Sequence, residues 1–330
     1  QPPLLVILLV PIHYIMPMRP EWPHGSFPDC DMTTHQDQDL QIRFLLPQAG
    51  VRGVSVRLEQ TWQDILAHAD YPDTVRELLG QSCAAAALFT GHAKVNGRLS
   101  LQLRSQHALR TLFAECTAQD NLRGIAQMYE GAGDIPRDLR QLGEDALLAI
   151  TIENPGLDPR EPQRYQSLVS LQAATLSDAF EDYFRQSEQL PTRLLLAADG
   201  HRAAGLILQK LPGDEGDSDG WNRAGALFDT LQADELLAVP GSQLLHRLFH
   251  EEQPAILAER TLRFACSCSR ERVAVMLQSL GGEEARAALT DGQAEVRCEF
   301  CGQRYLFSGP QIEELFALSG VGVQAPERLQ

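Results

Sequence analysis

Lysine is almost absent from this chain. Only Lys94 and Lys210 occur, the other basic residues are arginines, and 28 basic residues face 44 acidic ones. A formal charge of −16 and a pI near 5.0 leave no basic stripe that could follow a phosphate backbone, which argues against nucleic acid as a partner. Long apolar runs are also missing: Leu4 to Val10 is too short to span a bilayer, and no basic stretch or small-residue cleavage site flanks it as in a secretory signal. Membrane association is therefore not expected. Cysteine is sparse, with Cys30, Cys83 and Cys116 scattered and four others gathered near the C-terminus. That is no secreted disulfide framework, and a reducing cytoplasm suits it better. There is no Walker A sequence, no G-x-S-x-G elbow and no H-E-x-x-H helix, and His35, His92 and His201 have no nucleophile beside them. Nothing supplies a catalytic constellation, so an enzyme is not expected.

What the chain does have is C-x-C-x29-C-x2-C, formed by Cys266, Cys268, Cys298 and Cys301. Each tight pair can supply two ligands from one turn, and the intervening segment can fold back to bring the pairs onto a single tetrahedral Zn²⁺. Adjacent thiols can equally close on themselves when oxidised, Cys266 with Cys268 and Cys298 with Cys301, the x2 loop more easily than the tighter x1 loop. The spacing is thus that of a structural clip or of a redox trigger. Four thiolates on one Zn²⁺ carry a net −2, which Arg270, Arg297 and Arg304 would partly offset if the fold brings them near. His246 and His250, at i and i+4, lack a third ligand and read as a solvated helix face.

Residues 1–31, proline-dotted, read as an appended or disordered leader before a soluble start at Met32. From there to residue 212 the pattern is α+β. Val51–Leu58 reads as a strand, and Trp62, Ile65, Leu66, Val75, Leu78 and Leu79 recur at helical spacing either side of Pro72. Cys83, in an alanine-rich helical run, reads as a small core residue. Leu99, Leu101 and Leu103 alternate with polar residues as in a half-buried strand. Ala146–Ile152 and Arg193–Ala198 read as strands, the latter turning at Asp199-Gly200 into another through Leu206 and Leu208. Thr175–Ser187 reads as a helix, and Gly131-Ala132-Gly133 as a turn. Strands arriving in runs predict a largely antiparallel sheet.

Residues 213–263 read as a linker. It opens on the acidic, glycine-rich stretch Pro212–Gly220 and continues in short amphipathic helices up to Pro254, with Leu244, Leu245, Leu248 and Phe249 along one face. Helices this short are marginal in water and must dock that face or stay disordered. Residues 264–330 form a small final unit, with helices at Arg270–Leu280 and Glu283–Leu289, a strand at Tyr305–Ser308 and a closing helix from Ile312. So small a core calls for a staple such as a metal.

The cysteine pattern, with Tyr183–Thr192 (YFRQSEQLPT) and the Val51-Arg52-Gly53 strand, resembles the bacterial thirty-three-kilodalton heat-shock chaperones of the HslO family from about Thr33 to Phe316. The resemblance implies an N-terminal α+β chaperone and dimerisation domain, a metastable linker and a C-terminal zinc redox switch. Cys266, Cys268, Cys298 and Cys301 would hold one Zn²⁺ per chain in a reduced, inactive state. Oxidation would release it, unfold switch and linker, and expose surface, Leu244, Leu245, Leu248 and Phe249 included, that holds unfolding proteins without ATP. The active form would be a homodimer. Two other readings stand beside it. A zinc-ribbon interaction module is opposed by the acidity of residues 263–330, with seven Arg against nine Asp plus Glu. A thiol oxidoreductase would need a C-x-x-C beginning a helix in a thioredoxin-like βαβ unit, which is missing.

Overall fold

The computed structural model describes residues 38–317, apart from 94, 107–108, 132, 157, 159–161 and 214–216. The readings placed on residues 1–31, on Cys30 and His35, and on the chain after 317 lie outside the described residues.

The described chain begins with β1 (Leu40–Leu46) and β2 (Val51–Leu58), the second of these as its sequence predicts. Helix α1 (Gln60–Leu66) starts where the Asp39 carboxylate accepts the backbone N–H groups of Glu59, Gln60 and Thr61, satisfying donors that a helix start leaves free. Pro72 then opens α2 (Asp73–His92), as its lack of an N–H favours. Next come β3 (Arg98–Arg104), β4 (Leu109–Thr117), β5 (Asn121–Met128), β6 (Leu147–Asn154) and β7 (Gln163–Val169). Helix α3 (Leu176–Tyr183) is capped by Thr175, widens into a π turn over Phe184–Glu188 and stops at Gln189, φ 55°. Strands β8 (Thr192–Ala198) and β9 (Ala203–Lys210) form the expected hairpin through Asp199-Gly200.

The segment after Lys210 supplies α4 (Gly220–Phe228), α5 (Ala233–Ala238) and α6 (Gly241–Phe249). Beyond Pro254 it turns to strand: β10 (Ala255–Thr261) pairs antiparallel with β1, and β11 (Arg263–Phe264) runs parallel to β5. The C-terminal unit holds α7 (Arg270–Leu280), α8 (Gly282–Ala287), the β12 (Gln293–Arg297) and β13 (Arg304–Ser308) hairpin, and α9 (Gly309–Ala317).

Two larger sheets result, in the orders β10-β1-β2-β9-β8 and β11-β5-β4-β3-β6-β7, antiparallel throughout except at β11. The α+β class expected from the sequence is the one found. Helix α2 lies between the sheets. From Ser82 to Gly91 all its side chains are buried, which is why this stretch carries no polar face. Its alanines let the strands approach, and Cys83 sits among them fully buried. The inner faces contribute Val54, Val56 and Ile207 from one sheet and Leu99, Leu101, Leu112 and Leu148 from the other.

The two sheets differ on their outer faces. The outer face of the six-stranded sheet is partly open, and its strands alternate buried and exposed residues. The central strands of the five-stranded sheet are covered on both sides, so β9 is buried along nearly its whole length. Its second cover is α4–α6. Leu244, Leu245, Leu248 and Phe249 pack with Ile42, Phe44, Leu206 and Leu208, and Phe249 stacks on Phe44 at 6.2 Å. Where α4 begins, Gly220 lies against the backbone of Ala49, and a Cβ there would fall 2.4 Å from the Ala49 Cα. Arg223 ties the two ends of the cover together, bonding to Glu252 at 2.7 Å and to Asp217 at 2.8 Å. Among the described residues, no helix is long and apolar enough to cross a membrane.

Candidate metal centre

Cys266 and Cys268 lie in the extended stretch between β11 and α7. The α7 N-cap, Ser269, accepts the Arg272 N–H, and the Arg272 guanidinium reaches back to the Ser267 carbonyl at 2.7 Å, which pins the turn between the thiols and the helix. Cys298 and Cys301 occupy the turn joining β12 to β13. The Cys298 N–H donates to Gln303 O at 2.9 Å and the Gly302 N–H to Cys298 O at 2.8 Å. The turn closes with Gly302 at φ 68°, a conformation that glycine adopts without Cβ strain.

These turns face each other, and their four Sγ atoms lie within 4.8 Å of one another. Cys266 and Cys298 approach to 3.6 Å, Cys268 and Cys301 to 3.3 Å. Four sulfurs around one Zn²⁺ at about 2.3 Å would be spaced by roughly 3.8 Å, so the thiols fit that ion with little adjustment. Each thiol of one pair thus approaches a thiol of the other, as two turns interlocked around a common centre require.

The electrostatics favour a cation here. Burial, and then the neighbouring thiols, raise Cys266 and Cys301 above the ordinary thiol range. Cys268 is lowered: burial opposes its ionisation, but hydrogen bonds from Tyr305 and the other thiols outweigh it, the Tyr305 hydroxyl donating at 3.1 Å. Donating to that sulfur pushes the Tyr305 phenol up to about 12. Four thiolates this close repel one another and require a positive ion among them. Of the arginines expected nearby, Arg304 pairs with Glu295 at 2.5 Å, and Arg270 stacks on Phe307 and donates to Leu306 O. Arg297 lies over Gly302, next to Cys301.

The other candidates separate from this centre. His246 and His250 are exposed on the outer side of α6, rings 5.7 Å apart, and join no ligand group among the described residues. Cys83 and Cys116 are buried thiols; burial pushes Cys116 up to about 12 and raises Cys83 further. His92 lies against Arg52 and is held neutral, down to about pH 3, by burial and that guanidinium. Leu244, Leu245, Leu248 and Phe249 form the inner face of the helical cover, in the cluster on the five-stranded sheet and not in that of the C-terminal unit. Sequence reasoning missed Tyr305 and the seating of Phe300, which lies between two ligands and packs on Phe113 and Arg123 of the six-stranded sheet. An aromatic residue inside a C-x-x-C turn, where polar residues are usual, was the available signal.

Fold and site together define a two-sheet α+β core bearing a small unit whose four clustered thiols could hold a metal ion. The family described as Hsp33 protein matches residues 39–308. The 33 kDa chaperonin of Pseudomonas fluorescens (strain Pf0-1) is 44% identical over 304 residues, spanning 89% of this chain and 98% of that protein. That of Azotobacter vinelandii is 42% identical over 299 residues, 88% and 99% of the two chains. The crystal structure of the Thermotoga maritima 33 kDa chaperonin superposes with a TM-score of 0.69 at 19% identity, over 85% of this chain and 99% of that one, a likeness of fold. The chain belongs to the Hsp33 family.

Proposed function

We propose that this protein is a redox-regulated, ATP-independent chaperone, silent when its four thiolates hold one Zn²⁺ and active in holding unfolding proteins when they are oxidised. One observation supports the reading: four clustered thiols sit in a unit with little core of its own, which follows, through β10 and β11, a helical cover that buries Leu244, Leu245, Leu248 and Phe249 on a sheet. When bound, the ion would balance the thiolates of Cys266, Cys268, Cys298 and Cys301 and stabilise residues 264–317. A peroxide would oxidise each pair, Cys298 with Cys301 and Cys266 with Cys268. Each new S–S bond takes two electrons from sulfur, and with two protons from solvent the peroxide is reduced to two waters. Without thiolates the unit loses its metal and unfolds, the chain through β11 and β10 that joins it to α4–α6 loosens, and the apolar faces of that cover become available to clients. The family supports a homodimer as the active form and the cytoplasm as its place of work.

The test measures zinc content and suppression of client aggregation on one sample before and after peroxide. One zinc per chain and little activity should give way to zinc loss and strong activity. Cobalt substitution should give an all-sulfur tetrahedral spectrum; a histidine ligand would refute the assignment. Peptide mapping should find the two within-pair disulfides. Because Cys266 also approaches Cys298 and Cys268 approaches Cys301, recovery of those between-pair disulfides would replace this switch with one that locks the unit shut.

A further inference from the structure

Strand β5 touches both halves of the metal site. On one side β11 runs along it, Arg263 opposite Asn121 and Phe264 opposite Leu122, and the Ala265 N–H donates to Leu122 O at 3.2 Å. Cys266 is the next residue. On the other side, Glu299 and Phe300, the two residues enclosed by the second pair, rest on the outer face of the six-stranded sheet. Gln127 Nε2 donates to Glu299 Oε2 at 2.7 Å. The Arg123 guanidinium stands 4.5 Å from the Phe300 ring centre, and Phe113 of β4 meets that ring edge-on, centroids 5.7 Å apart at 76°. Arg123 is itself fixed by two bonds, of 2.9 and 2.8 Å, to Glu115, a carboxylate buried at the surface of the sheet.

The two anchors differ in kind. The first pair follows a stretch of backbone hydrogen bonds, whereas the second pair is held to the core by side chains alone, across a long separation in sequence. Bringing the pairs together has an entropic cost, which falls if both are already seated on one rigid element. We propose that the β4–β5 surface is a splint for the metal centre, with Phe113 and Arg123 as positioning residues that seat Phe300 and so hold Cys298 and Cys301 opposite Cys266 and Cys268. This rests on the reading of the four thiolates as a zinc site and names what sets its hold on the metal. The core thereby tunes the ease with which the switch opens, by a route separate from the helical cover.

The test uses the reduced, zinc-loaded full chain and follows zinc transfer to a chromogenic chelator. Phe300→Ala and Phe113→Ala should each speed transfer roughly three- to tenfold, the range expected for an aromatic pair with a cation beside it. The double variant should be no faster than the faster single, because both remove one contact. Phe113→Tyr, which keeps the ring, should return close to the parent rate. Hydrogen exchange in the zinc-bound state should rise at 297–302 in both single variants and stay unchanged in α2. Parent-like rates in the single variants, or effects that multiply in the double, would overturn the splint while leaving the zinc switch intact. A parent protein that carries no zinc would overturn the switch and the splint together.

Discussion

The helix-centred core and the C-terminal unit keep apolar side chains from water with very different resources. In the core, α2 is enclosed by two sheets, and one continuous cluster runs from Trp62 and Leu79 through Leu101 and Leu112 to Phe180. Among its described residues, the C-terminal unit buries the apolar side chains of Val273, Leu277, Ala285, Ala294, Phe307 and Ile312 alone, and leaves Val275, Met276 and Leu280 of α7 substantially exposed. The first is large enough to fold on its own interactions; the second is of a size that needs a staple. A metal held by the four thiols would therefore control the second without disturbing the first. The helical cover stands between them in character, well packed on the sheet yet built from helices too short to persist alone.

The sharpest way to break this contrast is to remove the ion. A strong chelator under reducing conditions, or Cys298→Ser, should unfold residues 264–317, since structural zinc contributes on the order of 10–16 kcal/mol in finger-sized peptides. Hydrogen exchange should rise across that unit and stay slow in α2, β3 and β9. Equal protection of both regions after chelation would show that the unit needs no metal.

A smaller effect tests the intermediate character of the cover. Leu245→Ala or Phe249→Ala should cost about 2–5 kcal/mol of packing against Ile42 and Phe44. Because the sheet keeps its other face on α2, that loss should appear as exchange in α4–α6 and as client holding by the reduced protein. Thermal melting of the whole chain with no such selective opening would mean that cover and core are one cooperative unit. Gly220→Val should act in the same direction by pushing α4 off Ala49.

Thiol chemistry sharpens the comparison further. Iodoacetamide applied to chelated protein should label Cys266, Cys268, Cys298 and Cys301 and spare Cys83 and Cys116, whose burial keeps them protonated. Mass spectrometry of the digest decides; early labelling of Cys83 would show that the core opens with the unit. The smallest effect concerns acid. The His92 imidazole stays neutral to about pH 3 when folded, while the unfolded chain takes up that proton near pH 6.5. Core stability from this group is therefore complete above pH 6.5 and falls as the pH drops toward 3, by about 1 kcal/mol per pH unit. Urea midpoints at pH 7 and pH 5 should draw closer together in His92→Asn.

The readable parts of this chain were those with local punctuation. Pro72, Asp199-Gly200 and Gly281-Gly282 mark boundaries that the structure keeps, and the leucine alternation of β3 stands out because its other face is polar. Strands β4 and β5 were harder to see. Phe113 and Ile125 put apolar residues on the outer face, which blurs the alternation, and Gly124 is a glycine in mid-strand because Cys83 leaves no room for a Cβ. Strand β10 was hidden for another reason: its place at the sheet edge is set by β1, some two hundred residues earlier. At the candidate metal centre, the grouping of the four cysteines showed in their spacing. Tyr305 and the Phe300 seat did not, because hydrogen bonds and ring contacts between distant segments leave no periodic trace.

The attachment of β10 to β1 has a kinetic consequence. The helical cover leaves the five-stranded sheet at β9 and rejoins the same sheet at β10. Once undocked, and while β10 remains paired, α4–α6 form a loop with both ends anchored, whose apolar face stays at an effective concentration on the order of millimolar at the site it left. Recovery of the covered state is then a first-order event, independent of protein concentration. Under the proposed switch, a client on the sheet would compete with a partner that cannot diffuse away, and restoring the thiolates would favour its release.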